Sequence, residues 1–373
     1  MQVKWVPVDD VRQRRVLIDL VVALVLQQAV ALSELALGLP GTTQAASRVT
    51  RLRRWLSNTK LDVWTMYEPV LEHLLHDKQW RLADVTVVVD GTMIFGDRLQ
   101  IFRLSLLYGC RAIALVWMVL PGKGLTTVET LTPMFERAAT FLARHVRRVS
   151  LLADRGFRDW DWAALATRLG WDYLIRIPCN TYVTLQDGQC LRVDTLGVRP
   201  GQSRYFQRVR LTQAACWETN LSVTWTTGDA KNAPELLAVI SNRRANGARL
   251  RRYGRRMQIE GSFRDDKSGG FDLDHTRLKD PARVERLLLG VAIATLWCHE
   301  LGHFCWEGGA TTWRLIDPGY SARRGRELSL FQVGLRYLRW CVANALHRLP
   351  RFQAQLPPLT LSPVLYQPPK SVR

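Results

Sequence analysis

Apolar residues recur at helical spacing from Val16 to Leu37, and Pro40 with Gly41 breaks the run. A second helix is predicted to bury Ala45, Val49, Leu52, Trp55 and Leu56, with Arg48, Arg51, Arg53 and Arg54 at its other positions. Further on the period changes. Val85–Asp90 is a nearly continuous, β-branched apolar run, the pattern of a strand buried on both faces. Arg103–Tyr108 and Ala112–Leu120 predict two more strands around a turn at Gly109. A helix over Val128–Val146, a buried strand over Val149–Asp154, a helix over Asp159–Leu169 and a strand over Tyr173–Pro178 follow.

The character then shifts to short alternating segments: Tyr182–Leu185, Cys190–Thr195, Arg204–Leu211, Leu221–Thr226 and Leu236–Ser241, separated by polar turns. These predict an all-β stretch rather than further βα units. A helix bearing Glu260 comes next, with Ser268-Gly269-Gly270 as its stop. Asp280 and Pro281 are placed as N-cap and first residue of another helix, whose core face is Val284, Leu287, Leu288 and Val291. Leu328–Leu346 reads as a last amphipathic helix, and Pro357, Pro358, Pro363, Pro368 and Pro369 mark an extended or disordered tail.

The expected fold class is therefore α/β with an N-terminal helical domain. Its parts are a helical unit over 1–80, an α/β segment over 81–178, a β-rich segment over 179–247, helices over 248–350 and a Pro-rich tail over 351–373. A chain of 373 residues can hold two or three such domains. Residues 16–33 follow Arg14 and Arg15 as a signal peptide would, but Asp19, Gln27 and Gln28 interrupt them. The apolar stretch Leu287–Trp297 is too short to span a bilayer, so no membrane partner is expected. Seven dispersed cysteines without a CxxC pair fit reduced thiols and a cytoplasmic setting.

Charge narrows the function. The net charge is +19, with 52 basic and 33 acidic side chains, which points to a polyanionic partner. Seven arginines and no acid lie between Arg243 and Arg256. The Arg48, Arg51, Arg53 and Arg54 group resembles the phosphate-facing side of a small helical DNA-binding unit.

Tyr253, Arg256, Glu260 and Lys267 form a Y-x2-R-x3-E-x6-K series. On one continuous helix they fall within an arc of roughly 60°. An acid set among cations and a phenol suits a metal ion beside phosphates. Asp90 and Asp154 each close a buried apolar run, where a carboxylate must be paired, hydrogen-bonded or metal-bound. On adjacent strands they converge, and Glu260 completes a three-carboxylate set suited to two Mg²⁺ or Mn²⁺ ions and in-line phosphoryl transfer. One motif competes. His299-Glu300-Leu301-Gly302-His303 is a literal H-E-x-x-H, the pattern of a zinc metalloprotease. The longer form fails, because Trp306 and Gly309 stand where a Gly and a third His belong.

The order of strand Asp, strand Asp, β-rich stretch and helix Glu resembles the DDE transposases of bacterial insertion sequences, specifically the insertion-sequence-4 group with its YREK signature. The resemblance covers about residues 20–340. It rests on Asp90-Gly91-Thr92, on Ala153-Asp154-Arg155-Gly156-Phe157, and on Tyr253, Arg256, Glu260 and Lys267. It implies an RNase H-like mixed sheet flanked by helices, with the β-rich stretch as an insertion before the last catalytic residue. It further implies Asp90, Asp154 and Glu260 as catalytic metal ligands, and Tyr253, Arg256 and Lys267 on phosphates. The implied activity is cut-and-paste transposition through a hairpin on the transposon end. The partners would be terminal inverted repeats and target DNA, bound as a dimer in the bacterial cytoplasm at the nucleoid. An inactive, domesticated DNA-binding relative is the alternative within that family. Hairpin formation needs a flipped base held by stacking, for which Trp217 and Trp225 are the candidates.

Overall fold

The computed structural model describes residues 10–108, 111–124, 126–211, 216–226, 233–308, 312, 315–317 and 328–356. The expected turn at Gly109 and the tail from residue 357 lie outside them.

The N-terminal apolar run folds as two helices rather than one, α1 (Val11–Gln27) and α2 (Leu32–Gly38). Gln28 sits between them in the left-handed region, φ 52°, which ends α1. Helix α3 (Ala45–Leu56) buries Leu52, Trp55 and Leu56, and α4 (Val63–Leu74) starts at Asp62, whose carboxylate accepts from Thr65 N–H. A short α5 (Lys78–Arg81) leads into the sheet.

Ten strands form one sheet. Strands β1 (Asp84–Ile94), β2 (Leu99–Tyr108) and β3 (Arg111–Pro121) make an antiparallel meander. After α6 (Val128–His145), β4 (Arg148–Ala153) returns parallel to β1. After α7 (Trp160–Arg168), β5 (Asp172–Ile177) lies parallel to β4. Parallel neighbours need such crossover helices. The β-rich stretch gives β6 (Tyr182–Thr184), β7 (Cys190–Arg192), β8 (Ser203–Leu211), β9 (Trp217–Trp225) and β10 (Leu236–Ser241). It joins the same sheet, because β10 pairs antiparallel with β5. The order is β3-β2-β1-β4-β5-β10-β9-β8-β6-β7.

Alternation along the central strands serves two cores. Val87, Val89, Leu151, Ala153 and Ile175 pack with α6, α7 and the C-terminal helices. Val88, Leu152, Leu174 and Val239 pack with Tyr253, Ile259 and Phe263 on the opposite face. Helix α10 (Pro281–Glu307) is long and apolar enough to cross a membrane by composition alone, and runs well beyond the apolar stretch Leu287–Trp297. In this fold it is the buried core helix. It crosses α11 (Leu330–Asn344) backbone to backbone: a Cβ on Gly334 would meet the Cys298 carbonyl oxygen at 1.7 Å.

Candidate active site

Register sets two acids side by side. The last parallel pair joining β1 to β4 is Val89 with Ala153, so Asp90 and Asp154 are the next residue on each strand. The expectation that Asp90 ends its strand is corrected: β1 continues to Ile94 by pairing with β2, where Asp90 lies opposite Arg103. What ends at Asp90 is the parallel half of the ladder. Asp154 does leave its strand and caps a 3₁₀ turn, its Oδ1 accepting from Gly156 N–H at 2.8 Å. A Cβ on residue 156 would stand 2.9 Å from that oxygen, so a side chain there would push the Asp154 carboxylate aside.

The third acid arrives on a broken helix. The Tyr253–Lys267 segment is not the single helix its spacing suggests. It is α8 (Gly247–Gly254), a 3₁₀ segment over Arg255–Met257, and α9 (Gln258–Asp266), with Lys267 outside helical geometry. Gly254, a weak helix former, stands at the break. The tighter 3₁₀ winding resets the angular position of Arg256.

Arg256 ties the acids together. Its Nη1 donates to Asp90 Oδ2 at 2.9 Å and its Nη2 to Glu260 Oε1 at 2.8 Å. The Arg256 side chain is 12% exposed and Asp90 16%, against 48% for Glu260. Burial pushes the Asp90 carboxyl up to about 6; Arg256 opposes this, while the charges of Asp154 and Glu260 add to it. Burial draws the Arg256 guanidinium down, but Asp90, Tyr253, Glu260 and Asp154 together hold it above its ordinary value. All three acids thus lie within electrostatic reach of one point.

Tyr253 is buried against Val88, Leu152, Ile259 and Phe263, and burial pushes its hydroxyl up to about 12. Lys267 is committed elsewhere: Nζ donates to the Met93 carbonyl at 2.6 Å and pairs with Asp274 at 3.0 Å. This anchors the end of α9 to β1, three residues beyond Asp90.

Two ion pairs behind the site escaped the sequence reading. Arg103 on β2 pairs with Asp266, and Arg111 on β3 with Asp265. Arg103 and Asp266 are almost completely buried, and the Arg103 guanidinium also lies over the Phe263 ring. The signal was there: an arginine inside the apolar run Ile101–Tyr108 requires a buried partner.

The remaining predicted residues are spread out. Arg48 donates to the carbonyls of Ala36, Leu39 and Gly41, and Arg51 pairs with Asp19 at 3.3 Å. Arg53 and Arg54 are exposed. Trp217 and Trp225 lie at the two ends of β9, on the same side as Leu221 and Val223, which join the core on the α7 side rather than the Glu260 side. Trp217 packs at a tilt against Trp160, 5.9 Å between ring centroids, and donates to Tyr173 Oη, and Trp225 donates to the Val198 carbonyl. In the competing motif, His299 is buried with Nδ1 against the Thr295 carbonyl. Glu300 accepts from the backbone N–H of Gln353 and Ala354.

The acidic trio fits a hard divalent cation in kind, since all its donors are carboxylate oxygens. Yet among the described residues no three His, Cys, Asp or Glu side chains stand close enough to hold one. That applies equally to the H-E-x-x-H residues and to the three acids, where a guanidinium stands between two of them.

Residues 125–297 match the family described as transposase DDE domain. Over those residues the chain is similar to transposase DDE domains. It is accordingly a DNA-cleaving and strand-transferring enzyme. The match includes Asp154, Tyr253, Arg256, Glu260 and Lys267 and begins after Asp90. No curated protein matches this chain. Among solved structures it is similar to piggyBac transposase in a synaptic complex with hairpin DNA: TM-score 0.39, 11% identity, covering 90% of this chain and 71% of that one. It is also similar to Marinitoga piezophila Argonaute with guide RNA and target DNA: TM-score 0.23, 10% identity, covering 60% and 30%. Both likenesses are distant.

Proposed function

We propose that this protein cuts and joins DNA at the ends of a transposon by a cut-and-paste route with a hairpin intermediate, as a member of the insertion-sequence-4 group. The observation that carries the reading is the register placing Asp90 and Asp154 abreast, with Glu260 brought to them through Arg256. The order of β1 to β5, three antiparallel strands followed by two parallel ones, supports an RNase H-like core with the β-rich stretch inserted before Glu260.

Asp90, Asp154 and Glu260 are the residues to hold two Mg²⁺ or Mn²⁺ ions. Bound there, the metal supplies charge neutralisation and an activated oxygen nucleophile for in-line transfer at phosphorus. The chain's own residues do the rest. Burial of Asp90 weakens solvent screening at that carboxylate. Arg256 offers a forked donor to a phosphate. Lys267 fixes α9, and so Glu260, against β1. Terminal repeats and target DNA are the partners, with two copies joining two ends, in the bacterial cytoplasm at the nucleoid.

The test is nicking, with Mg²⁺, of a duplex carrying the inverted repeat beside the gene. Glu260→Gln keeps size and removes charge. We expect it to bind the duplex and fold normally while nicking and strand transfer are abolished. Nicking at the wild-type rate by this variant overturns the assignment.

A further inference from the structure

We propose that Arg256 is a resident stand-in cation, which neutralises Asp90 and Glu260 while DNA is absent and must be drawn off by a DNA phosphate before those carboxylates accept a divalent ion. The inference rests on the reading of the three acids as metal ligands.

Four observations support it. First, the guanidinium fork is divided, one arm to each acid, at 2.9 Å and 2.8 Å. Those nitrogens engage carboxylate oxygens that a divalent ion would need at roughly 2.0–2.6 Å. Second, Arg256 and Asp90 are both largely buried, so their attraction is weakly screened by solvent. Third, no metal-holding group of three exists among the described residues, although the charges of Asp154 and Glu260 both reach Asp90. Fourth, three other cations around α9 are already engaged: Lys267 with Met93 and Asp274, Arg103 with Asp266, Arg111 with Asp265. Arg256 also sits in the 3₁₀ segment between α8 and α9, not inside either helix, so a small local change re-aims it.

The exchange is chemically matched. A guanidinium prefers a phosphate, which accepts both arms in one plane, to two divergent carboxylates. Leaving them exposes two adjacent negative charges, which repel each other and attract a divalent ion. DNA and metal then favour each other's binding, and linkage requires the effect to be reciprocal. The enzyme is thereby held metal-poor, and unable to cut, until a phosphate backbone is in place.

The test is Mn²⁺ binding to the DNA-free protein, followed by the loss of the free-ion paramagnetic resonance signal. Arg256→Gln removes the charge and keeps a polar side chain; Arg256→Lys keeps the charge but loses the fork. We expect Arg256→Gln to bind Mn²⁺ at least about tenfold more tightly than wild type, a difference of about 1.4 kcal/mol. Arg256→Lys should fall between them. Adding the end duplex should tighten Mn²⁺ binding to wild type by a similar factor and to Arg256→Gln by little. Equal or weaker Mn²⁺ binding by both variants, each shown folded by its unfolding transition, overturns the proposal. Asp90→Asn separates this from failure of the underlying reading. If the DNA-bound Asp90→Asn protein loses the Mn²⁺ uptake that the DNA-bound wild type shows, the carboxylates are ligands whatever Arg256 does. If Asp90→Asn leaves the tight binding of Arg256→Gln intact, the ion lies elsewhere and both ideas fall.

Discussion

Arg103 and Asp266 are paired behind the helix that carries Glu260, where they are only 6% and 3% exposed. Buried pairs often contribute little net stability, because both charges are stripped of water. What such a pair does supply is a unique position. It fixes the end of α9 over the strand that lies opposite Asp90.

This separates stability from placement. Arg103→Met alone strands the Asp266 carboxylate and should cost about 3–5 kcal/mol in urea unfolding. Arg103→Met combined with Asp266→Leu should recover most of that loss. We nevertheless expect the double variant to nick DNA at least about tenfold more slowly, because α9 has lost its register. Full activity in a stable double variant would show the pair to be dispensable for placing Glu260.

Glu300 gives a pH signature. Burial raises its carboxyl from 4.5 to about 7, against the pull of backbone N–H groups from residues 353–355. The folded state therefore favours the protonated form. Its contribution to stability is complete below about 4.5 and is lost as pH rises through about 7. Wild type should lose about 2–3 kcal/mol between pH 4.5 and pH 8 from this group, and Glu300→Gln should lack that component. Paired denaturant titrations at the two pH values check it. Nicking by Glu300→Gln should stay at the wild-type level, since this residue grips the C-terminal strap and not the acidic trio.

The arginines of α3 should divide into two classes. Arg48→Ala removes donors from three carbonyls and should cost about 1–3 kcal/mol of stability. Arg53→Ala and Arg54→Ala should leave unfolding unchanged. Each should reduce the slope of log affinity against log salt by about one, measured by anisotropy with an end duplex. An unchanged slope in both would make them plain surface cations.

Gly334→Ala tests the helix crossing. A Cβ there has no room beside the Cys298 carbonyl, and the same holds for Gly302 against Leu330, at 2.0 Å. Either alanine should cost several kcal/mol or prevent soluble expression, because backbone cannot yield as a side-chain tip can. Unfolding midpoints near wild type would show that the two helices have slack.

The elements were largely readable where one local signal dominates. Val85–Val89 and Val149–Ala153 are mostly apolar runs, interrupted only by Thr86 and Ser150, and they form the buried parallel pair. Asp280 with Pro281 marks the start of α10. What the sequence hid depends on distant partners. Arg103 and Asp266 are 163 positions apart, and Arg256 meets Asp90 across 166. The spacing of Tyr253, Arg256, Glu260 and Lys267 suggested one face of one helix. The 3₁₀ break beyond Gly254 arranges them differently, and only packing against β1 decides where each points. Nor could alternation in 179–247 reveal that β10 adds to the edge of β5.

That last junction makes the sheet a ruler. From β1, which holds Asp90, to the far edge at β7 there are seven strand spacings of about 4.8 Å, roughly 34 Å along the sheet. This is about one turn of B-form DNA. Each strand is hydrogen-bonded to the next, with a register shift between Phe206 and Val209 of β8, so the outer strands are joined to the acids through the sheet rather than by a tether. Nucleic acid lying along the sheet would meet the outer strands about one helical turn from the cut. Gaining or losing a strand would shift that phase in steps of about 50°.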